Sequence, residues 1–152
     1  MFTDLSLNPA LQTRDPQRRA AAAFENAYFR GWWDRLVARL TGHAHTLGRL
    51  PGRILEGSFA GARTVALDQV RGSEDRSTDF DADFHPLRLE SRERWMSIYQ
   101  AVGRGQTLPP VELVQVGDTY YVRDGHHRIS VARTRGQDYI EAVVVAAQRN
   151  PR

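Results

Sequence analysis

The stretch Tyr120–Arg133 reads YYVRDGHHRISVAR, and it joins an apparent strand to an apparent helix through an Asp-Gly turn, two histidines and an arginine. A β-prone run ends at Arg123, Gly125 permits a tight turn, and a short helix follows from about His126 to Thr134, stopped by Gly136. The first N–H groups of such a helix lack partners within it and carry partial positive charge, so they form an anion site. Arg128 in the first turn can fork onto phosphate oxygens, and His127 can donate to phosphate or accept a proton. Cations at that end oppose the helix dipole unless an anion sits there. The alternative is that Asp124 caps the helix and the polar residues are solvated, and spacing alone does not choose between the two. Four charge-assisted hydrogen bonds at ~1.5–2 kcal/mol each would supply roughly 6–8 kcal/mol gross. That corresponds to micromolar or weaker binding.

Working outward, LPPVELVQV, Gly117-Asp118 and TYYVR predict two strands joined by a two-residue turn. YIEAVVVAA predicts a β-branched closing strand. SRERWMSIYQAVGRG carries Trp95, Ile98, Tyr99 and Val102 at helical spacing before its glycines. RTVALDQV, from Arg63, predicts the opening strand, with a charged loop after it. Residues 41–62, rich in Gly, read as a connection. His43 and His45 lie there, two apart with no third ligand nearby in sequence, so no metal site is expected.

The N-terminal third predicts one long helix, capped by Asp15 with Pro16 at its first position, running to about Leu40 and stopping at Thr41-Gly42. Phe24, Tyr28, Trp32, Leu36 and Leu40 repeat every four residues, with Phe29, Trp33 and Val37 beside them. That stripe predicts a helix packed on its own domain or on a second copy of the chain. A membrane-surface or DNA-contacting helix is the other reading.

Composition removes several chemistries. The 152 residues contain no cysteine, and arginine alone makes up the 21 basic residues. Disulfides, thiolate nucleophiles and cysteine-held zinc are therefore excluded. A P-loop lysine and Schiff-base chemistry are excluded as well. Any phosphate must be held by Arg and backbone N–H groups, which a planar guanidinium suits. The net charge of +3 divides as +4 over 1–63, −3 over 64–95 and +2 over 96–152, with no block basic enough to mark a nucleic-acid surface. No run approaches the ~20 apolar residues of a membrane span. Met1 to Asp15 lack the order of a secretory signal, so the cytoplasm is the expected location.

The order of these elements, with Gly125-His126-His127-Arg128 at the turn, resembles the ParB/sulfiredoxin-like superfamily over Arg63 to Ala147. ParB proteins carry Gly-Glu-Arg-Arg at this turn and sulfiredoxins Gly-Cys-His-Arg. The resemblance implies an α+β fold, a small mixed sheet with packed helices over 63–147. The long helix and linker of 1–62 would precede it, and a tail of 148–152 would follow. It further implies a CTP or ATP site, with Mg²⁺, whose phosphates lie on Asp124, Gly125, His127 and Arg128. The loop GSEDR would face the nucleotide through Ser73 and Arg76. Glu74 lies where free-serine kinases look to carry a carboxylate base. His126 occupies the sulfiredoxin cysteine position, so without a thiol sulfinic-acid repair is out. His126 and Glu74 are the candidate catalytic residues for phosphoryl transfer or nucleotide hydrolysis. The chain closes soon after YIEAVVV, so the helix-turn-helix domain of partition proteins is expected to be absent.

DFDADFHPLRLE places Asp79, Asp81, Asp83, His85 and Glu90 at the spacing of a calcium loop. Phe84 stands where that loop needs glycine, and flanking helices are not predicted. The expectation is instead that Phe80 and Phe84 pack inward while the acids face water, with no metal-ligand set assigned. Three readings stay open: a nucleotide-binding domain with or without catalysis, a weakly DNA-associated module, and a purely structural or interaction protein. A homodimer through the N-terminal helix is compatible with each.

Overall fold

The computed structural model describes residues 12–50, 55–75 and 78–148. Its first element is α1, Pro16–Thr41, capped where the sequence predicts: the Asp15 carboxylate accepts the Gln17 N–H, Pro16 opens the first turn and Gly42 closes the helix in the left-handed conformation. The face α1 buries differs from the expected aromatic stripe. Ala20, Ala23, Phe24, Ala27 and Gly31 are buried, spaced at three and four residues as one helix face requires. Phe29, Trp32, Trp33, Val37 and Leu40 are exposed. Small side chains let the helix approach closely. At Gly31 a Cβ would lie 2.9 Å from Leu87 Cδ2 and 3.0 Å from His85 Cβ, so only glycine lets residues 85–87 pack there.

The sheet has six strands, β1 Gly48–Arg49, β2 Leu55–Ala66, β3 Val70–Ser73, β4 Val111–Val116, β5 Thr119–Asp124 and β6 Tyr139–Gln148. Their spatial order is β1-β3-β5-β4-β6-β2. The β4–β5 hairpin turns at Gly117-Asp118 as read from sequence, pairing Val116 with Thr119. β3 runs parallel to β5, and β6 runs parallel to β4 and antiparallel to β2. Pairing in both directions makes the sheet mixed, and with its helices the fold is α+β. Two boundaries differ from expectation. β2 begins at Leu55, inside the segment read as a connection, because β6 is long enough to pair with it back to Gln148. RTVALDQV is divided, since a 3₁₀ turn at Leu67–Gln69 separates β2 from β3. No helix among the described residues is long and apolar enough to cross a membrane.

The remaining helices are α2, Arg92–Gly103, and α3, His126–Thr134. α3 lies between two apolar clusters. Ile129 and Ala132 join Val65, Val70, Leu113, Val122 and Val144 of the sheet, together with Phe80 and Phe84. Val131 joins Phe24 and Ala27 of α1 and Trp95 and Met96 of α2. Trp95 is fully buried, edge-on to Phe24 at 5.6 Å and stacked on Tyr99 at 5.4 Å. Its indole N–H donates to Ser130 Oγ at 2.9 Å, which satisfies the one polar group an interior tryptophan brings. This central placement fixes the start of α3, and therefore the turn before it, against both layers.

Candidate functional site

β5 ends at Asp124, and Gly125 makes the turn at φ 104° as the N-cap of α3. A Cβ there would meet Val111 Cγ1 at 2.5 Å, so glycine is required by both its backbone angle and the space beside β4. As a glycine, the N-cap residue brings no side chain to cap α3. The Asp124 carboxylate instead accepts from Arg128 NH2 at 2.9 Å, which removes the reading of Asp124 as the helix cap. Arg128 NH1 also donates to the Pro110 carbonyl at 3.0 Å and to that of Pro109. The guanidinium thus ties the first turn of α3 to the segment leading into β4. Its five donors exceed these three bonds, which leaves capacity for an anion.

The two histidines face inward. His126 is 5% exposed, stacked on Phe80 at 5.9 Å, and its Nε2 shares a 2.6 Å hydrogen bond with Ser73 Oγ. His127 meets the same ring edge-on at 5.3 Å. Ser73, at the end of β3, is fully buried. The parallel pairing of Ser73 with Val122 brings this strand end beside the turn. Next to it, Glu74 receives Arg123 Nε at 2.9 Å and Arg123 NH2 at 3.4 Å. Both partners are a little over a quarter exposed. The structure therefore brings Ser73, Glu74, Asp124, Gly125, His126, His127 and Arg128 to one end of the β3–β5 pair. Arg76 lies outside the described residues. Arg123, the partner of Glu74, was not singled out from the sequence; its signal was a cation closing a strand two residues before the turn glycine.

A second group of polar residues gathers elsewhere. Phe80 and Phe84 are buried as expected, but Asp81 is buried too, not solvated. Its Oδ1 accepts the backbone N–H groups of Asp83 at 3.0 Å and His85 at 2.8 Å, and its Oδ2 accepts from His85 Nδ1 at 2.8 Å. Those bonds offset the cost of interring a carboxylate. His45, expected to lie alone, donates from Nε2 to Asp83 Oδ2 at 2.8 Å. Beside this group is a cavity of about 720 Å³ at the C-terminal end of α3, bordered by Asn26, Arg30, Asp83, His85, Tyr99 and Arg133. Arg133 donates to the carbonyls of Leu67 at 2.6 Å and Val70 at 3.1 Å and lies over the Phe84 ring at 5.3 Å. Burial pushes its guanidinium below the usual arginine value, with Asp83 opposing that change.

With the fold and this geometry in place, the chain is similar at low identity to several solved structures. Sulfiredoxin from Arabidopsis thaliana superposes with a TM-score of 0.42 at 17% identity, over 55% of this chain and 82% of that one. A free serine kinase in complex with AMP gives 0.41 at 21% identity, over 64% of this chain. A conserved hypothetical protein from Pyrococcus furiosus gives 0.42 at 21% identity, over 60% of this chain. The aligned region spans about a third of the length of those last two, 35% in each case. No family model matches the sequence, and no curated protein matches it.

Proposed function

We propose that the β5–α3 turn binds the phosphates of a nucleotide, CTP or ATP. The observation that carries this reading is the start of α3. A left-handed glycine opens the helix, and Arg128 stands in its first turn. The first N–H groups of a helix have no acceptor within it, and with the guanidinium beside them they form an anion cradle. The Gly-His-His-Arg sequence, shared in form with sulfiredoxins and in its first and last positions with ParB proteins, supports the same assignment. Mg²⁺ keeps several waters and takes one or two carboxylates beside the phosphates. Asp124, with its side chain 62% exposed at the turn itself, fits that role, and the cation would neutralise charge between phosphate groups. If the phosphate is transferred or hydrolysed, Glu74 is the better placed proton acceptor. It is partly exposed and oriented by Arg123, whereas His126 lies inside against Phe80. The exposed aromatic half of α1 is the surface on which a second copy of the chain would pack.

Titration calorimetry with CTP, ATP and GTP, each with and without Mg²⁺, tests this. Saturable binding of one nucleotide, weakened at least about tenfold in both Arg128→Ala and Arg128→Lys, is expected, because an ammonium cannot reproduce the fork. A circular-dichroism melt of each variant separates lost binding from lost folding. If the nucleotide is turned over, Glu74→Gln lowers the rate by roughly 10²-fold or more while binding persists. No heat with any nucleotide up to millimolar concentration refutes the reading.

A further inference from the structure

Asp34 lies on α1, His45 follows that helix, and Asp81, Asp83 and His85 belong to the loop between β3 and α2. The fold gathers them into two adjoining triads that share Asp34. Ligand atoms of Asp34, His45 and Asp81 lie within 4.8 Å of one another, and so do those of Asp34, Asp83 and His85. Asp34 Oδ2 is 3.9 Å from His45 Nε2 and 3.7 Å from His85 Nδ1, and Asp81 Oδ2 is 4.0 Å from His45 Nε2 and 2.8 Å from His85 Nδ1. Two donors bound at ~2.0–2.1 Å to one tetrahedral cation stand roughly 3.4 Å apart, so these separations bracket what one ion needs.

We propose that Asp34, His45, Asp81 and His85, with Asp83 at the edge, form a binding site for a divalent transition-metal cation such as Zn²⁺. Two imidazoles among carboxylates favour zinc, manganese or iron over Mg²⁺ and Ca²⁺, which prefer all-oxygen shells. The buried Asp81 is held by backbone N–H groups at Oδ1 while Oδ2 faces the imidazoles, which fixes one ligand before any ion arrives. Three carboxylates converge here, and the guanidinium of Arg133 stays at their edge, its NH1 3.9 Å from Asp83. A divalent cation would balance that charge and join three segments of the chain. His85 and Asp83 also border the 720 Å³ cavity next to Arg30 and Arg133, so an ion here would have one side toward a space able to admit a small ligand. No residue of the β5–α3 turn takes part, and the site stands or falls separately from nucleotide binding.

The test is titration of the chelator-treated full chain with Zn²⁺ and with Co²⁺, whose visible absorption reports its ligand geometry. The expected result is one ion per chain at micromolar affinity or tighter, with d–d bands of a four-coordinate centre. Affinity should fall at least about tenfold in Asp34→Asn and in His45→Gln, two variants at partly exposed positions. His43→Gln and Arg128→Ala should leave it unchanged, since His43 sits in the same segment but turns its Nδ1 to the Thr41 carbonyl. Absence of saturable binding overturns the proposal. Binding that Asp34→Asn and His45→Gln both leave intact overturns it equally, because the ion would then be held elsewhere.

Discussion

Gly125→Ala should be strongly destabilising, and its cost has two separable parts. The residue sits at φ 104°, where an L side chain loses about 1–2 kcal/mol. The added methyl would stand 2.5 Å from Val111 Cγ1 and 2.9 Å from Val111 Cβ, an overlap that costs about 1–3 kcal/mol to relieve in a packed core. Together they amount to roughly 2–5 kcal/mol, a large share of the 5–15 kcal/mol that holds a typical domain. A double-mutant cycle separates the parts. Val111 is 1% exposed, so Val111→Ala alone should cost about 2 kcal/mol through its cavity. In the double variant the methyl added at position 125 enters that cavity, and the sum of the single effects should overshoot the measured loss by about 1–3 kcal/mol. Urea unfolding of the four proteins, followed by far-ultraviolet circular dichroism, gives the coupling directly. Effects that add to within about 0.5 kcal/mol would refute the close approach of turn and strand. A Gly125→Ala cost under about 1 kcal/mol would refute the left-handed turn itself.

Two further perturbations probe the layers on either side of α3. Ser130→Ala strands the buried Trp95 indole N–H and should destabilise by about 2 kcal/mol. For a chain of this length that lowers Tm by roughly 4–8 °C, and no change in a thermal melt would mean the 2.9 Å bond carries no stability. Trp32→Glu alters a residue 50% exposed, so it should leave Tm within about 2 °C. If the aromatic half of α1 packs against a second copy, the same change should shift sedimentation from dimer to monomer. An unchanged sedimentation coefficient would rule that surface out.

The parts of this fold that are legible in the sequence are those set by neighbours along the chain. Asp15-Pro16 and Gly42 mark the ends of α1, Gly117-Asp118 marks the hairpin, and Gly125 and Gly136 bracket α3, because caps and turns are chosen by backbone geometry over a few residues. What the sequence concealed depends on partners far away in it. Periodicity locates an apolar stripe on α1, yet the face that α2 and residues 85–87 occupy is the alanine face, since close packing needed small side chains and not large ones. The strand from Leu55 is specified by β6, which no local pattern announces. The strand–turn–helix at 124–128 was legible as local structure, but not its inward-facing histidines, which the Phe80 ring and Ser73 draw in. The acidic loop shows the limit most sharply. Asp79, Asp81 and Asp83 alternate with apolar residues and so imitate a solvated edge. Asp81 is interior because two backbone N–H groups and His85 satisfy it. His45 meets Asp83 across a separation of 38 residues, and His85 meets Asp34 across a longer one, only when α1 and that loop come together. Spacing could exclude a calcium loop there, but it could not exclude a metal site, because the donors that complete one are supplied by tertiary packing.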